Sequence, residues 1–570
     1  MVAAHSAGAR LDEPIAPALQ RSDADRLAES LGVTRTMAAI LADRDLVDPA
    51  AARRFLDPRL ADLTVPDQMA DRAAMAERLQ VAVRRGERVC VFGDYDCDGI
   101  TATAILTGVL RQLGAEVAPL LASRFDGGYG VTDAAALRIA ATGATLVVTC
   151  DCGSSDHAVL AKLIRGGQDV MVIDHHLVPD EPLPVLAFIN PHRPECGFPY
   201  KGLASCGLAL SIAAALRAQL GAKVDLRDEL DLVAIGTIAD VAPLDGDNRA
   251  LVRAGLERLR QAKRPGIVAL NELAQLGPEL PITSEDVAFR LAPRLNAPGR
   301  LGPPDLALET LLCRSIDRAR GLAAQLEQCQ LERRRQQDLM VAQAHEDIDT
   351  HGYRERPALV VGRPGWNHGI VGIVAGRLAS EFERPVVAIG FDEAGVGRGS
   401  VRGPKGARLH DALSSVADLL ERFGGHQAAA GLEVRVERLA ELRERFEAAC
   451  AVPGGGLSAE QSLPPYELFP ADDPARVVAD LERLEPCGHG NPLPQIALEA
   501  QLIAARQVRG GHLKLELELA GRRMGAFGVG LGALADSLRG RVRVVGRLRR
   551  DRWRGGDAVE VGIDQVQTTV

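Results

Sequence analysis

Val89-Cys-Val-Phe-Gly-Asp-Tyr-Asp-Cys-Asp-Gly99 sets a short β-branched run directly before a turn that carries three aspartates. Four apolar residues followed by a glycine-bracketed polar turn read as a buried strand and the loop at its carboxyl end. Taken as extended, that loop projects Asp94, Asp96 and Asp98 to one side, because side chains alternate with period two. Carboxylates so close repel unless a cation neutralises them, and Mg2+ or Mn2+ takes oxygen ligands readily. A solvated acidic turn is the alternative. An EF-hand loop is excluded, because Ile105 stands where its twelfth-position glutamate is required and a strand precedes the turn.

Outward from this point the pattern repeats. Apolar runs at residues 89–92, 117–121, 146–149 and 170–173 alternate with helical periodicity at 101–113, 134–141 and 159–165. This order predicts βαβ units and a parallel sheet, which binds ligands beyond the carboxyl ends of its strands. Two further strand ends carry chemistry. Thr149-Cys-Asp-Cys-Gly153 presents Asp151, and its Cys150-x-Cys152 pair lacks the second pair that a structural zinc site uses. Ile173-Asp-His-His176 offers two imidazoles, one for a metal and one for substrate, or else a buried structural pair. Asp240 closes an apolar helix predicted over 228–240, where a carboxylate opposes the helix dipole and calls for a cation or a donor. Taken together these oxygen and imidazole donors suit a two-metal centre that activates water and clamps a phosphoryl oxygen. No G-x-x-x-x-G-K-[ST] loop occurs, so nothing suggests ATP hydrolysis.

A chain of 570 residues exceeds what one core holds, so at least three domains are expected. A helix-prone, charged stretch at 305–347 precedes a second α/β pattern, with predicted strands at 358–361 and 386–389 around a helix at 369–380. A glycine-rich linker is read at 451–458, and alternating apolar and polar residues over 494–570 predict a small β-barrel. The formal net charge of −9 argues against a wholly basic nucleic-acid binder. Local clustering is nevertheless present: residues 539–554 hold eight arginines and one tryptophan, a composition that single-strand grooves use. The alternative is an ordinary basic barrel surface. Ten cysteines without small-domain spacing read as buried thiols in a reducing compartment. Neither a signal peptide nor a run approaching ~18–20 apolar residues is found. A cytoplasmic protein with no membrane partner is expected.

Asp94-Tyr-Asp-Cys-Asp-Gly99, Asp151, Asp174-His-His176 and Asp240 resemble the four motifs of the DHH phosphoesterase family. The order of the remaining motifs resembles its single-strand-specific exonuclease branch. Those motifs are Arg124-Phe-Asp-Gly-Gly-Tyr-Gly130, Pro293-Arg-Leu-Asn-Ala-Pro-Gly-Arg300, Gly397-Arg-Gly-Ser-Val-Arg402, Gly424-Gly-His-Gln-Ala-Ala-Ala-Gly-Leu432 and Pro486-Cys-Gly-His-Gly-Asn-Pro492. The resemblance implies an arm with short helices at 1–70, a DHH parallel-sheet domain at 71–310 and a connecting helix at 311–350. It further implies a DHH-associated α/β domain at 351–450 and an OB-fold-like barrel at 451–570.

It implies Asp96, Asp98, Asp151, His175 and Asp240 as ligands of two Mn2+ or Mg2+ ions, with Asp94 in the same carboxylate network and His176 on the scissile phosphate. Arg124, Tyr129, Arg294, Asn296, Arg300, Ser400, Arg402, Gly424, Gly425 and His426 are implied to hold the nucleotide or its phosphates. The implied activity is 5′→3′ hydrolysis of single-stranded DNA to mononucleotides in repair and recombination. The implied protein is a monomer, with a single-strand-binding protein and a RecQ-type helicase as partners and a channel that excludes duplex. Phosphodiesterases of short oligonucleotides or cyclic dinucleotides, and a non-catalytic replication scaffold, are the rival readings. Cys97 and Cys152 adjoin expected ligands, and an oxidant-sensitive site is expected from that placement.

Overall fold

Strand β1 (Arg88–Gly93) is buried along Val89–Gly93, as expected of a strand covered on both faces of a parallel sheet. The computed structural model describes residues 21–404, 406–426, 429–451, 465–551, 554–555 and 558–569. The expected arm before residue 21 and most of the expected linker at 451–458 lie outside them. Beside β1 run β2 (Glu116–Leu121), β3 (Leu146–Cys150), β4 (Asp169–Ile173) and β5 (Ala187–Ile189). They form one sheet in the order β2-β1-β3-β4-β5, with every pairing parallel. The order reverses between β1 and β3, the point at which doubly wound sheets open a crevice for ligands.

Asp94 and Asp96 follow β1, and Asp151 follows β3, so both flank this crevice. The extended reading of residues 94–98 is corrected here. The helix Cys97–Gln112 already begins inside the motif, with the Asp96 side chain accepting the Asp98 and Gly99 amides at 3.0 and 3.2 Å. An aspartate that caps a helix satisfies amides left open by the helix geometry, and this local bond overrides the alternation assumed for a strand.

The second sheet is mixed. It comprises β6 (Leu359–Pro364), β7 (Val386–Phe391), β8 (Val396–Arg402), β9 (Leu420–His426) and β10 (Ala429–Arg435), in the order β6-β7-β8-β10-β9. Only β6 and β7 pair in parallel. Both sheets lie within one compact unit spanning Leu63–Glu460. The helix Ile316–Thr350 runs through that unit, and its charge disguises a buried stripe of Leu322, Ala323, Leu326, Met340, Val341, Ala344 and Ile348.

A second compact unit carries the remaining strands. It holds β11 (Tyr466–Glu467), β12 (Ile496–Val508), β13 (His512–Leu519), β14 (Arg522–Gly528), β15 (Arg541–Arg550) and β16 (Val559–Thr569). The ladder β12-β13-β14-β16-β15 closes through a β12–β15 pairing, and β14 pairs with β16 in parallel. This is a five-stranded Greek-key barrel of the OB type. The helices Arg21–Leu31, Arg35–Asp43 and Pro49–Leu56 do not stand apart as an arm. Their Met37, Ile40, Leu41 and Leu56 share a core with Leu513, Leu515, Val542 and Val561 of the barrel. Asp480 binds the amide and hydroxyl of Thr34 at 2.7 and 2.8 Å across this core. The apolar spacing of three short helices says which faces are buried but not against what, so this packing is absent from the sequence reading. No helix among the described residues is long and apolar enough to cross a membrane.

Candidate metal centre and its surroundings

Asp98 sits in the first turn of the helix Cys97–Gln112 and is buried. Its two carboxylate oxygens accept the amides of Ser205 (2.7 Å) and Cys206 (2.9 Å) at the start of the helix Ser205–Leu220. Two helix N-termini therefore converge on the acidic cluster, and their dipoles favour negative charge there. Gly99 permits the approach: a Cβ on it would lie 2.6 Å from the Asp94 backbone.

Asp151 leaves β3 with φ +63, a conformation that aspartate tolerates better than most residues. Its amide extends the ladder to the Ile173 carbonyl (2.9 Å), and its carboxylate accepts the Ser205 hydroxyl (3.0 Å). His175 Nε2 stands 3.2 Å from Asp151, 3.8 Å from Asp240 and 3.9 Å from Asp98. Ligand atoms of Asp94, Asp96 and Asp151 lie within 4.8 Å of one another, and the same holds for Asp98, His175 and Asp240, and for Asp151, His175 and His176. The seven residues expected at the centre are thus assembled, with Asp151 and His175 shared between groups.

Electrostatically this cluster is uncomfortable without a cation. Two carboxylates about 4 Å apart repel by roughly 4 kcal/mol at an effective dielectric near 20. Burial, with the charges of Asp98, Asp96 and Asp94 added, pushes the Asp151 carboxyl well above the usual range. Burial and Asp96 do the same to Asp94. Burial, Asp98 and Asp96 push Asp240 up to about 8. His175 Nε2 and Asp94 Oδ1 are also buried without a hydrogen-bond partner, which is rare in a folded interior. Orphaned donors, an oxygen-rich set and mutual repulsion all fit a hard divalent cation.

His176 has a different setting. Its Nδ1 lies 2.7 Å from Asp174 Oδ1 and 2.9 Å from the Tyr129 hydroxyl. Burial opposes ionisation of Asp174, yet the bonds from His176 and from the Ser154 amide outweigh it and hold that carboxyl down at about 2. For His176, burial acts downward and the bond to Asp174 wins, raising the imidazole to about 9. With Nδ1 occupied, Nε2 is left for another partner. Asn190 fixes the same turn by donating to the His176 carbonyl at 2.8 Å. Asp174, Ser205 and Asn190 were not among the expected site residues. Asp174 stands inside the quoted motif, whereas nothing in the sequence marks Ser205 or Asn190.

The expected substrate residues divide. Arg300 is largely buried, donates to the Gly369 carbonyl (3.2 Å) and is lowered to about 10 by burial and the nearby charges of Arg124 and Arg333. Arg124 stacks on Tyr95 at 4.1 Å. Arg402 is lowered by burial and by Arg124. Ser400 and Arg402 both approach Gly372, coming within 3.2 and 3.3 Å of where a Cβ would sit. Arg294 is instead held by Glu327 (2.5 Å) and the Arg290 carbonyl, so the structure does not bring it to this group. Asn296 ends a short helix and is half-buried, and Gly424 and Gly425 are exposed on β9. The His426 side chain lies outside the described residues. Cys97 and Cys152 are buried, and burial pushes both thiols well above their usual range. Oxidation runs through an accessible thiolate, so the expected oxidant sensitivity loses its physical basis.

The chain matches three families along its length: the DHH family, N-terminal domain, over residues 88–237, the DHHA1 domain over 356–451 and the RecJ OB domain over 467–565. It is 35% identical over 552 residues to the single-stranded-DNA-specific exonuclease RecJ of Bacillus subtilis (strain 168), covering 94% of this chain and 68% of that protein. The crystal structure of RecJ in complex with Mn2+ from Thermus thermophilus superposes with a TM-score of 0.80 at 31% identity, covering 98% of this chain and 79% of that one. The Mg2+ complex from the same organism gives a TM-score of 0.74 at 29% identity, covering 98% and 78%.

Proposed function

The chain belongs to the RecJ family of single-stranded-DNA-specific exonucleases, and we propose that it hydrolyses single strands in the 5′→3′ direction, releasing mononucleotides. It is a metal-dependent phosphoesterase that acts on single-stranded DNA. The observation that carries the mechanism is the meeting of Asp94, Asp96, Asp98, Asp151, His175 and Asp240 at the reversal point of the parallel sheet, with buried ligand atoms left unpartnered. Asp96, Asp98, Asp151, His175 and Asp240 would hold Mn2+ or Mg2+, with Asp94 in the same network. When bound, these ions supply a water of lowered pKa and neutralise charge on the scissile phosphate.

The chain's own groups do the rest. Asp174 keeps His176 protonated and oriented, so that Nε2 donates to a phosphoryl oxygen as charge builds there. The Tyr129 hydroxyl braces the same ring and donates to the Asp151 carbonyl at 3.2 Å, tying the loop at 124–130 to the metal side. Arg124, Arg300, Ser400 and Arg402 hold phosphates of the strand, and guanidinium suits that task through its forked donors. Residues 71–310 carry the catalytic sheet, 351–450 contribute strand-holding groups, and the barrel after residue 465 is itself a single-strand-binding fold.

Role in DNA repair and recombination, a cytoplasmic location, a monomeric state, and a single-strand-binding protein or RecQ-type helicase as partners complete the proposal. The barrel disfavours a phosphodiesterase of dinucleotides, and the filled, assembled ligand set disfavours a scaffold.

The test is digestion of end-labelled single-stranded and duplex DNA with Mn2+, Mg2+ or EDTA, beside Asp151→Ala. Immediate release of a labelled mononucleotide from the 5′ end of single strands only, lost with EDTA and in the variant, is expected. Strand binding without cleavage would favour the scaffold, and cleavage confined to very short oligomers would favour the small-substrate enzymes.

A further inference from the structure

The loop at 124–130 meets the turn at 366–369, which joins β6 to the helix Val371–Phe382. The rings of Phe125 and His368 pack there, 4.7 Å between centroids and tilted by 58°. The turn is braced. Asn367 accepts the Gly369 amide on its side chain at 2.8 Å, and Arg300 donates to the Gly369 carbonyl at 3.2 Å. A Cβ on Gly369 would lie 2.2 Å from the Arg300 carbonyl oxygen, so glycine is what lets the two segments come this close.

Two nitrogens at this contact are buried without a hydrogen-bond partner, His368 Nε2 and Arg124 Nε. Buried donors nearly always find a partner, so an orphan on each of two touching segments points to an absent one. The partner's charge follows from the surroundings. Arg124, Arg300 and Arg402 form no ion pair among the described residues, and each lies close enough to another arginine to feel its charge, while Asp94 and Asp96 of the acidic centre act on Arg124 and Arg300 from beyond ion-pair distance. Arg398 also lies near His368, although Glu433 at 3.5 Å offsets it. Burial, Arg398 and Arg124 hold the His368 pKa below the usual histidine range, which favours the neutral ring, and its Nε2–H tautomer adds a donor without adding charge. An anion with several oxygens satisfies both orphans and the arginines together.

We propose that His368 is a phosphate-contact residue whose Nε2 donates to a phosphate oxygen of the bound strand, in a pocket shared with Arg124, Arg300 and Arg402. The proposal rests on the exonuclease reading above and adds to it a neutral residue from the turn before the helix Val371–Phe382.

The experiment uses the full-length, metal-loaded protein with His368→Ala and His368→Asn, single strands with and without a 5′-phosphate, and inorganic phosphate as competing probe. His368→Ala is expected to raise KM about tenfold, the size of one lost hydrogen bond to a charged group. Its kcat should stay within about twofold, and inhibition by inorganic phosphate should weaken by about the same tenfold factor. His368→Asn, which keeps a donor, should recover part of the loss. A KM rise confined to the phosphorylated strand assigns the terminal phosphate, an equal rise on both assigns an internal one, and either supports the contact. A fall in kcat at constant KM, or unchanged phosphate inhibition, overturns it. Equilibrium binding of a single strand to Asp151→Ala, with and without His368→Ala, keeps the test readable without turnover. Binding weakened by His368→Ala while Asp151→Ala still cleaves would instead sink the metal-centre reading and leave the phosphate contact standing.

Discussion

The arginines of the barrel and those of the catalytic unit have opposite surroundings. Arg549 donates to Glu560 at 2.9 Å, Arg550 to Glu482 at 2.6 Å, and Arg543 pairs with Glu467. In the catalytic unit, Arg300 and Arg402 are largely buried, and they and Arg124 make no ion pair among the described residues, although Asp96 and Asp94 act on Arg300 and Arg124 from further away. Within the stripe at 539–554, which read from sequence as a single-strand-binding signal, Arg543, Arg549 and Arg550 are thus compensated by glutamates from neighbouring strands and a helix. Surface pairs of that kind contribute about 0–1 kcal/mol and exchange readily. A buried guanidinium without an ion pair costs folding energy, which a ligand of opposite charge would offset. The acidic centre follows the same logic with the sign reversed.

This contrast can be broken at either end. The largest effect is expected at the acidic centre: Asp151→Asn should lower kcat by roughly a thousandfold in a single-strand cleavage assay, since a ligand shared between groups is weakened. Activity within tenfold of the parent would remove Asp151 from the chemistry. Next in size, Arg300→Ala should raise KM about 10- to 100-fold and reduce the salt dependence of strand binding by about one unit of log–log slope. An unchanged slope would mean that Arg300 meets no phosphate.

A third expectation concerns protons. The metal-free fold holds Asp240 at about 8, so the folded chain binds more protons than the unfolded chain between roughly pH 4 and pH 8. Its stability should therefore fall as pH rises through that window, and Mn2+ should restore it. The Mn2+-induced gain in unfolding midpoint, followed by calorimetry, should be several degrees larger at about pH 8 than at about pH 6. A gain independent of pH would count against proton–metal competition at this cluster. The smallest effect is expected in the barrel, where Arg549→Ala should change single-strand affinity by less than about threefold. A loss comparable to that of Arg300→Ala would erase the distinction between the two arginine sets and return the stripe to the main binding surface.

Parts of this were legible at once. The alternation of strands and helices over 89–173 foretold the parallel sheet, and strand-end placement alone put Asp94, Asp96 and Asp151 at its ligand-binding edge. Asp98 does join the acidic cluster, but not by the route read from sequence: the alternation argument needs an extended chain, and the residue lies in a helix. Arg294 illustrates the opposite failure, since a matching motif cannot reveal that Glu327 on a distant helix already holds the guanidinium.

The sequence by itself determined the order of sheet, long helix, second sheet and barrel, and the identity of the carboxylates and histidines, because periodicity and residue chemistry are local properties. Only the tertiary structure decided which charges are compensated. It seated the helices Arg21–Leu31, Arg35–Asp43 and Pro49–Leu56 in the barrel's core, brought Ser205 onto Asp98 and Asp151, and set His368 against Phe125. Burial and the distance between charges are set by which elements pack together, and those two quantities separate a reactive group from a satisfied one.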